Sequence, residues 1–271
     1  MNMPEISEGE ARGRLRQLYH TIKATMRVPL VSEPLRALAL YPNFLHLVFE
    51  ASRPNLLSVH VERMVSELTT YRKPPLQPPP MSTSVLPRDR RGALALLPVF
   101  RYETAKLLLL LTAWQETLAE RPISGQNHED AFWPPGILPH FPRNIPLLRI
   151  EHATHTQRHV FQNILAAHDL FTLPDVYRAL AHHPTFLTGA WEPLHPLVQT
   201  DAYEDAARHI RRRAKQLVHA LPHPLPLTPN RLLLQVSERE VTAGIGLITA
   251  YRHTLPRLLL DVEMMTQMLQ V

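Results

Sequence analysis

The chain has 271 residues, long enough for one large domain or two smaller ones. It holds no cysteine, which excludes disulfides, thiolate metal sites and a catalytic thiol. A net charge of +5, from 29 Lys and Arg against 24 Asp and Glu, permits a nucleic-acid partner without requiring one.

Met1 to Glu10 is polar and acidic, so no leader peptide is expected and a cytoplasmic protein is the default. Leu15, Leu18, Tyr19, Ile22 and Met26 recur at helical spacing, and Val61, Met64, Val65 and Leu68 form a second such stripe. Lys73 to Pro87 carries six prolines and predicts a loop. Leu107 to Trp114 is the longest apolar run, well short of the ~20 residues a bilayer crossing needs, so no membrane is expected. Arg121 to Pro146 is again proline-rich and predicts a linker. Beyond it, Val160, Phe161, Ile164 and Leu165 read as helix. So does the amphipathic run Tyr203, Ala206, Ala207, Ile210, Ala214, Leu217, Val218 and Leu221. Leu221 to Pro229 predicts a second proline loop. Ser237 with Glu240 predicts a capping box that opens a helix through Tyr251. Leu258, Leu259, Val262, Met265 and Leu269 predict one more helix. No period-2 strand is visible, so the expected class is all-α.

A repeat runs through this pattern. Arg36-Ala37-Leu38-Ala39, Pro42, Phe44-Leu45, Glu50 and Pro54 recur as Arg178-Ala179-Leu180-Ala181, Pro184, Phe186-Leu187, Glu192 and Pro196, at a constant offset of 142 without a gap. Phe49 is answered by Trp191. A second match, Thr112-Ala113-Trp114 with Thr117-Leu118 against Thr249-Ala250-Tyr251 with Thr254-Leu255, has an offset of 137. The expected organisation is a first helical repeat over 9–120, a linker over 121–146 and a second repeat over 147–271. Two such modules are expected to meet about a pseudo-two-fold axis, as an intrachain pseudo-dimer, with a pocket between matching helices. A homodimer of the chain is also allowed.

Several of these residues carry a resemblance to a known family. Ile22-Lys23, Arg27-Val28-Pro29 and Arg36-Ala37-Leu38-Ala39 with Pro42 resemble the first half of the DehI-type (group I) DL-2-haloacid dehalogenases. Lys106, Leu108-Leu109-Leu110, Thr112-Ala113 and Arg121-Pro122 resemble its central helix and the turn after it. Ala179-Leu180-Ala181, Pro184 and Leu187 resemble the second half. The resemblance runs from Leu15 to Leu269. It implies an all-helical fold of two repeats with a site between them, and no cofactor or metal. The implied activity is hydrolysis of the carbon–halogen bond of a small 2-haloacid, with inversion, by a water that an Asp activates.

Carried over position by position, that Asp falls at Val176 and the Asn that helps hold water and substrate falls at Thr104. The family's Trp falls at Leu30 and an aromatic falls at Glu33. Val176 cannot accept a proton, and Thr104 lacks an amide's donors. The resemblance therefore implies a diverged member with little turnover of 2-chloropropionate, or a non-catalytic scaffold that binds small carboxylates. Asp175 stands one residue before Val176, and the repeat sets it opposite Glu33. These two acids read either as a carboxylate pair facing the pocket, with Asp175 as candidate base, or as caps of the first turns of their helices.

Other clusters favour plainer readings. His152, His155 and His159 share one helix face opposite Val160, Phe161 and Ile164, which points to solvent rather than a metal. Arg208, Arg211, Arg212, Arg213 and Lys215 read as a solvated face rather than a nucleic-acid patch, since no aromatics interleave them. His182 and His183 fall in a turn, and Phe49 and Trp191 read as core.

Overall fold

A computed structural model describes residues 3–70, 76–81, 85–126 and 131–270. The described residues form eleven α-helices and no strand; the pairs Ser58–Phe132 and Ile123–Leu225 are isolated bridges. The all-α expectation holds. Parts of the predicted 73–87 loop (73–75 and 82–84) and of the 121–146 linker (127–130), and the terminal residue 271, lie outside the described residues.

The helices follow one another in a recurring order. α1 (Gly13–Met26), α2 (Glu33–Leu38), α3 (Pro42–Leu57) and α4 (Val59–Thr70) lead to the long α5 (Pro87–Leu118). α6 (His155–His168), α7 (Asp175–Leu180), α8 (Pro184–Val198) and α9 (Asp201–Val218) start 142 residues after α1 to α4. They lead, past the short α10 (Pro229–Leu233), to the long α11 (Glu238–Met268). The offset reaches into the backbone: α1 stops at Arg27 and α6 at Asp169, both left-handed, with φ 65° and 52°.

The long helices keep a different offset. α11 starts 151 residues after α5, and polar contacts follow that register. Lys106 of α5 pairs with Glu62 at 2.9 Å and donates to the Thr25 carbonyl. Arg257, 151 residues later, pairs with Glu204 and donates to the His168 carbonyl. The Thr-Ala-Trp and Thr-Ala-Tyr blocks, matched at 137, therefore do not occupy corresponding places. Trp114 is sealed in the core with its Nε1 donating to Ser52, whereas the Tyr251 hydroxyl donates to Glu33.

α11 also corrects a predicted break. The sequence suggested a helix through Tyr251 and another from Leu258, yet one helix runs through Pro256. An interior proline costs about 3 kcal/mol. Leu255, Leu259, Val262 and Met265 are buried on either side of it, and losing that burial would cost more. The capping box at Ser237 and Glu240 is present as expected. α5 and α11 run antiparallel, since Gln115 bonds Thr249 at one end and Arg101 pairs with Glu263 at the other. Their seam forms the centre of the molecule. No helix among the described residues is long and apolar enough to cross a membrane.

Candidate active site

α2 and α7 are only six residues long, and their first turns meet. The Asp175 carboxylate at the head of α7 accepts two hydrogen bonds from Arg36 of α2, at 2.8 and 2.9 Å, and a third from the backbone N–H of Glu33 at 3.1 Å. Both partners are buried, Arg36 at 3% exposure and Asp175 at 6%. Glu5 holds the other side of Arg36 at 2.9 Å. Asp175 thus caps a helix, but the helix is α2 and not its own.

Beside this junction lies a cavity of about 400 Å³ between α2, α5, α7, α9 and α11. Glu33, Thr104, Asp175 and Val176 all line it; Leu30 does not, being buried in the core. Phe100, Leu107, Leu170, Leu255 and Leu258 make most of the rest apolar.

Two further carboxyl groups face the same space in unusual states. The Glu33 carboxyl accepts from the Tyr251 hydroxyl at 2.9 Å. Burial first, and then the negative Asp175, push its pKa up to about 8 despite that bond. Glu103 of α5 is buried, at 5% exposure. Burial and then Asp175 raise its pKa to about 7, against the easing effect of the Ser32 and Thr104 hydroxyls. Thr104 Oγ1 stands 3.4 Å from Glu103 Oε2. A carboxyl buried in a cavity wall with a raised pKa is a costly feature, and such features concentrate at functional sites.

No family profile matches this chain. It is similar to a configuration-inverting 2-haloacid dehalogenase of Alcaligenes xylosoxydans xylosoxydans, 24% identical over 280 residues, covering 98% of this chain and 93% of that protein. It is also similar to an (R)-2-haloacid dehalogenase of Pseudomonas putida, 27% identical over 277 residues, covering 95% and 89%. Among solved structures, a D-2-haloacid dehalogenase mutant matches with a TM-score of 0.88 at 23% identity, over 98% of this chain and 96% of that one. A D-2-haloacid dehalogenase in complex with L-LA matches with a TM-score of 0.87 at 24% identity, over 98% and 96%. The fold is therefore the all-α fold of these enzymes, and the relatives in sequence are 2-haloacid dehalogenases across nearly the whole chain.

The sequence reading missed three features of the cavity. Glu103 adjoins Thr104, yet in the polar stretch from Arg101 to Lys106 nothing singled it out. Tyr251 was matched to the core Trp114. Arg211 was placed on a solvated face, whereas it is half-buried and lines the cavity with Arg252. Arg213, of the same cluster, pairs with Glu67 of α4. His152 does not share a helix with His155 and His159: it ends a 3-10 turn, and Thr154 caps α6 after it. All three imidazoles are exposed, and no group of three or more metal-ligating acids and histidines occurs among the described residues.

Proposed function

We propose that the chain is a hydrolase of the 2-haloacid dehalogenase kind in which Glu103 has taken over the role of water-activating base. The reading rests on one observation: Glu103 places a buried carboxyl in the cavity wall, with its pKa pushed up to about 7 by burial and by Asp175. General bases work best with pKa values near the working pH. Asp175 is the poorer candidate, because both its oxygens are committed to Arg36 and one of them also to the Glu33 N–H. We assign it a positioning role: it locks α2 to α7 and raises the two neighbouring carboxyls. The chain is read as a diverged DehI-type duplication, with repeats over 9–120 and 147–271 and a linker over 121–146.

In the proposed step, ionised Glu103 accepts a proton from a water as that water attacks the halogen-bearing carbon from the side opposite the halogen. The carbon–halogen bond breaks, halide leaves, and the 2-hydroxy acid forms with inverted configuration. Glu103 then returns the proton to solvent. Val176 supplies apolar wall, and Thr104 holds the carboxyl.

Halide release from both enantiomers of 2-halo acids of increasing chain length tests this. Release should fall about 10²-fold or more in Glu103→Gln, and the wild-type rate should rise through a midpoint near pH 7. Turnover of 2-chloropropionate itself should be slight. Release that survives Glu103→Gln and disappears in Asp175→Asn would move the base to Asp175. No release from any 2-halo acid, with carboxylate binding retained, would favour the non-catalytic binding scaffold.

A further inference from the structure

The two halves of the chain wall the cavity unequally. Residues 27–32 link α1 to α2, and residues 169–174 link α6 to α7, at the repeat's offset of 142. Both links start from a left-handed residue, Arg27 or Asp169. Of the first link, only Ser32 lines the cavity. Of the second, Asp169, Leu170, Phe171, Thr172 and Pro174 all do.

The first link is locked in place. Val28, Leu30 and Val31 are at most 4% exposed. The Val31 N–H donates to Glu8 at 2.9 Å, the Val31 carbonyl accepts from Arg36, and the Arg27 carbonyl accepts from the Leu138 N–H at 3.2 Å. The second link is held only at its ends. There the Leu170 N–H donates to the Leu165 carbonyl at 2.9 Å, and the Pro174 carbonyl accepts from the Tyr177 N–H at 3.0 Å. Leu173 is buried, but among the described residues no hydrogen bond reaches Phe171, Thr172 or Leu173.

Phe171 lines the cavity and is nevertheless 73% exposed, which puts it at the mouth. Burying a phenyl ring fully is worth roughly 10- to 100-fold in an equilibrium constant. The wall elsewhere is mostly apolar, through Phe100, Leu107, Leu255 and Leu258. Rotation about χ1, with adjustment of the unbonded backbone at Phe171 and Thr172, moves the ring and leaves both anchored ends in place. A ring that covers a bound apolar group is itself covered by that group, so such a ligand favours the inward position.

We propose that Phe171 is the lid residue of the cavity: its ring turns inward over the apolar group of a bound ligand, shuts out water and sets a preference for alkyl groups longer than methyl. The first link cannot do this, since it is buried and bonded along its length. The inference rests on the hydrolase reading only where it takes the ligand to be a 2-substituted acid; the lid itself needs none of that chemistry.

Phe171→Trp places an indole at the lid, read against the three native tryptophans by subtracting wild-type emission. Saturation with 1-hexanol, or with either enantiomer of 2-hydroxyhexanoate, should shift the added emission to the blue. Phe171→Ala should melt with wild type, because an exposed side chain contributes little to stability. It should nonetheless bind 1-hexanol about 10-fold more weakly by calorimetry, and Phe171→Leu should recover most of that loss. An unshifted indole at saturating 1-hexanol, wild-type affinity in Phe171→Ala, or a wild type that binds neither compound would overturn the inference. A lid that closes on 1-hexanol but on neither hydroxy acid would uphold it and count against the hydrolase reading.

Discussion

The backbone N–H of Glu33 donates to Oδ2 of Asp175 across 3.1 Å, joining two positions 142 residues apart, the same interval that separates the two copies of the Arg-Ala-Leu-Ala motif. Positions that match in the recurring sequence motif thus touch where α2 and α7 begin. The contact is not symmetric. Asp175 takes the cross-repeat hydrogen bond and the Arg36 pair, while the Glu33 side chain turns to Tyr251.

Removing the charge of Asp175 should therefore be costly. Asp175→Asn leaves an oxygen for the Glu33 N–H but strips the buried Arg36 of its bidentate partner. Breaking a buried pair by deleting one member typically costs 3–5 kcal/mol. Glu5 still neutralises part of Arg36, so a loss of about 2–4 kcal/mol is expected in urea unfolding. The same change should lower the Glu103 pKa, because a negative neighbour disappears, and shift any pH–rate midpoint toward acid. A variant as stable as wild type with an unmoved midpoint would contradict both.

Stability should also depend on pH in a definite direction. Glu33 and Glu103 have folded pKa values near 8 and 7 against an ordinary 4.5. Between pH 4.5 and 8 the folded chain holds more protons than the unfolded chain, so these two groups make stability fall as pH rises. Below pH 4.5 both states are protonated and the penalty is absent. Glu116 acts oppositely: burial opposes it, but Arg121, His219 and Lys215 hold its pKa near 2, so its contribution is lost as pH falls from 4.5 toward 2. The expected optimum lies near pH 5. Glu33→Gln and Glu103→Gln should each flatten the decline between pH 5 and 8, together by a few kcal/mol. A thermal-melt series whose slope over that range is the same in wild type and both variants would rule this out.

Two glycines of α11 make a paired test of packing. A Cβ on Gly244 would stand 2.4 Å from the Phe44 ring of α3, whereas one on Gly246 would meet nothing within 4 Å. Gly246→Ala should gain up to about 1 kcal/mol from helix propensity alone. Gly244→Ala gains the same propensity but must displace a fully buried ring, and should lose about 1–3 kcal/mol net. If both variants melt above wild type, α3 and α11 are not in the contact described.

Much of the fold was legible because helices write their buried face into sequence every three to four residues, and because the repeat fixed the order. Each residue of the Val61, Met64, Val65 and Leu68 stripe is buried, as periodicity requires. The site was legible only where the resemblance pointed, at Glu33, Thr104, Asp175 and Val176. Glu103 escaped because a charge on an apolar helix carries no sign of what faces it. Arg211 escaped because periodicity ranks faces by hydrophobicity, and a polar cavity wall reads like a solvated face. The continuity of α11 through Pro256 was invisible for a further reason: a local rule costs about 3 kcal/mol, and only tertiary burial outweighs it.

The second half of the chain buries a polar cluster that the matching positions of the first lack. Tyr177 and Tyr203 each donate to Asp261 at 2.6 Å, and Nε2 of His168 lies 2.8 Å from Asp261 Oδ2, close but not aligned as a hydrogen bond. The corresponding positions of the first repeat, by the offsets of 142 and 151, are Leu35, Val61, Leu110 and Met26, all buried and apolar. The same architecture is thus stable with an apolar centre. Asp261→Leu alone leaves the buried Tyr177 hydroxyl unpaired, leaves Tyr203 only the Arg257 carbonyl at 2.7 Å and takes the charge from beside His168, and should cost roughly 3–5 kcal/mol. Adding Tyr177→Phe, Tyr203→Phe and His168→Met removes the orphaned groups while conserving volume, and should recover most of that loss, because replacing all partners by apolar groups of similar shape is nearly neutral. Urea unfolding of the single and the fourfold variant decides it. A fourfold variant no more stable than Asp261→Leu would mean that the second repeat has adapted its packing to the cluster, and that its centre is no longer interchangeable with that of the first.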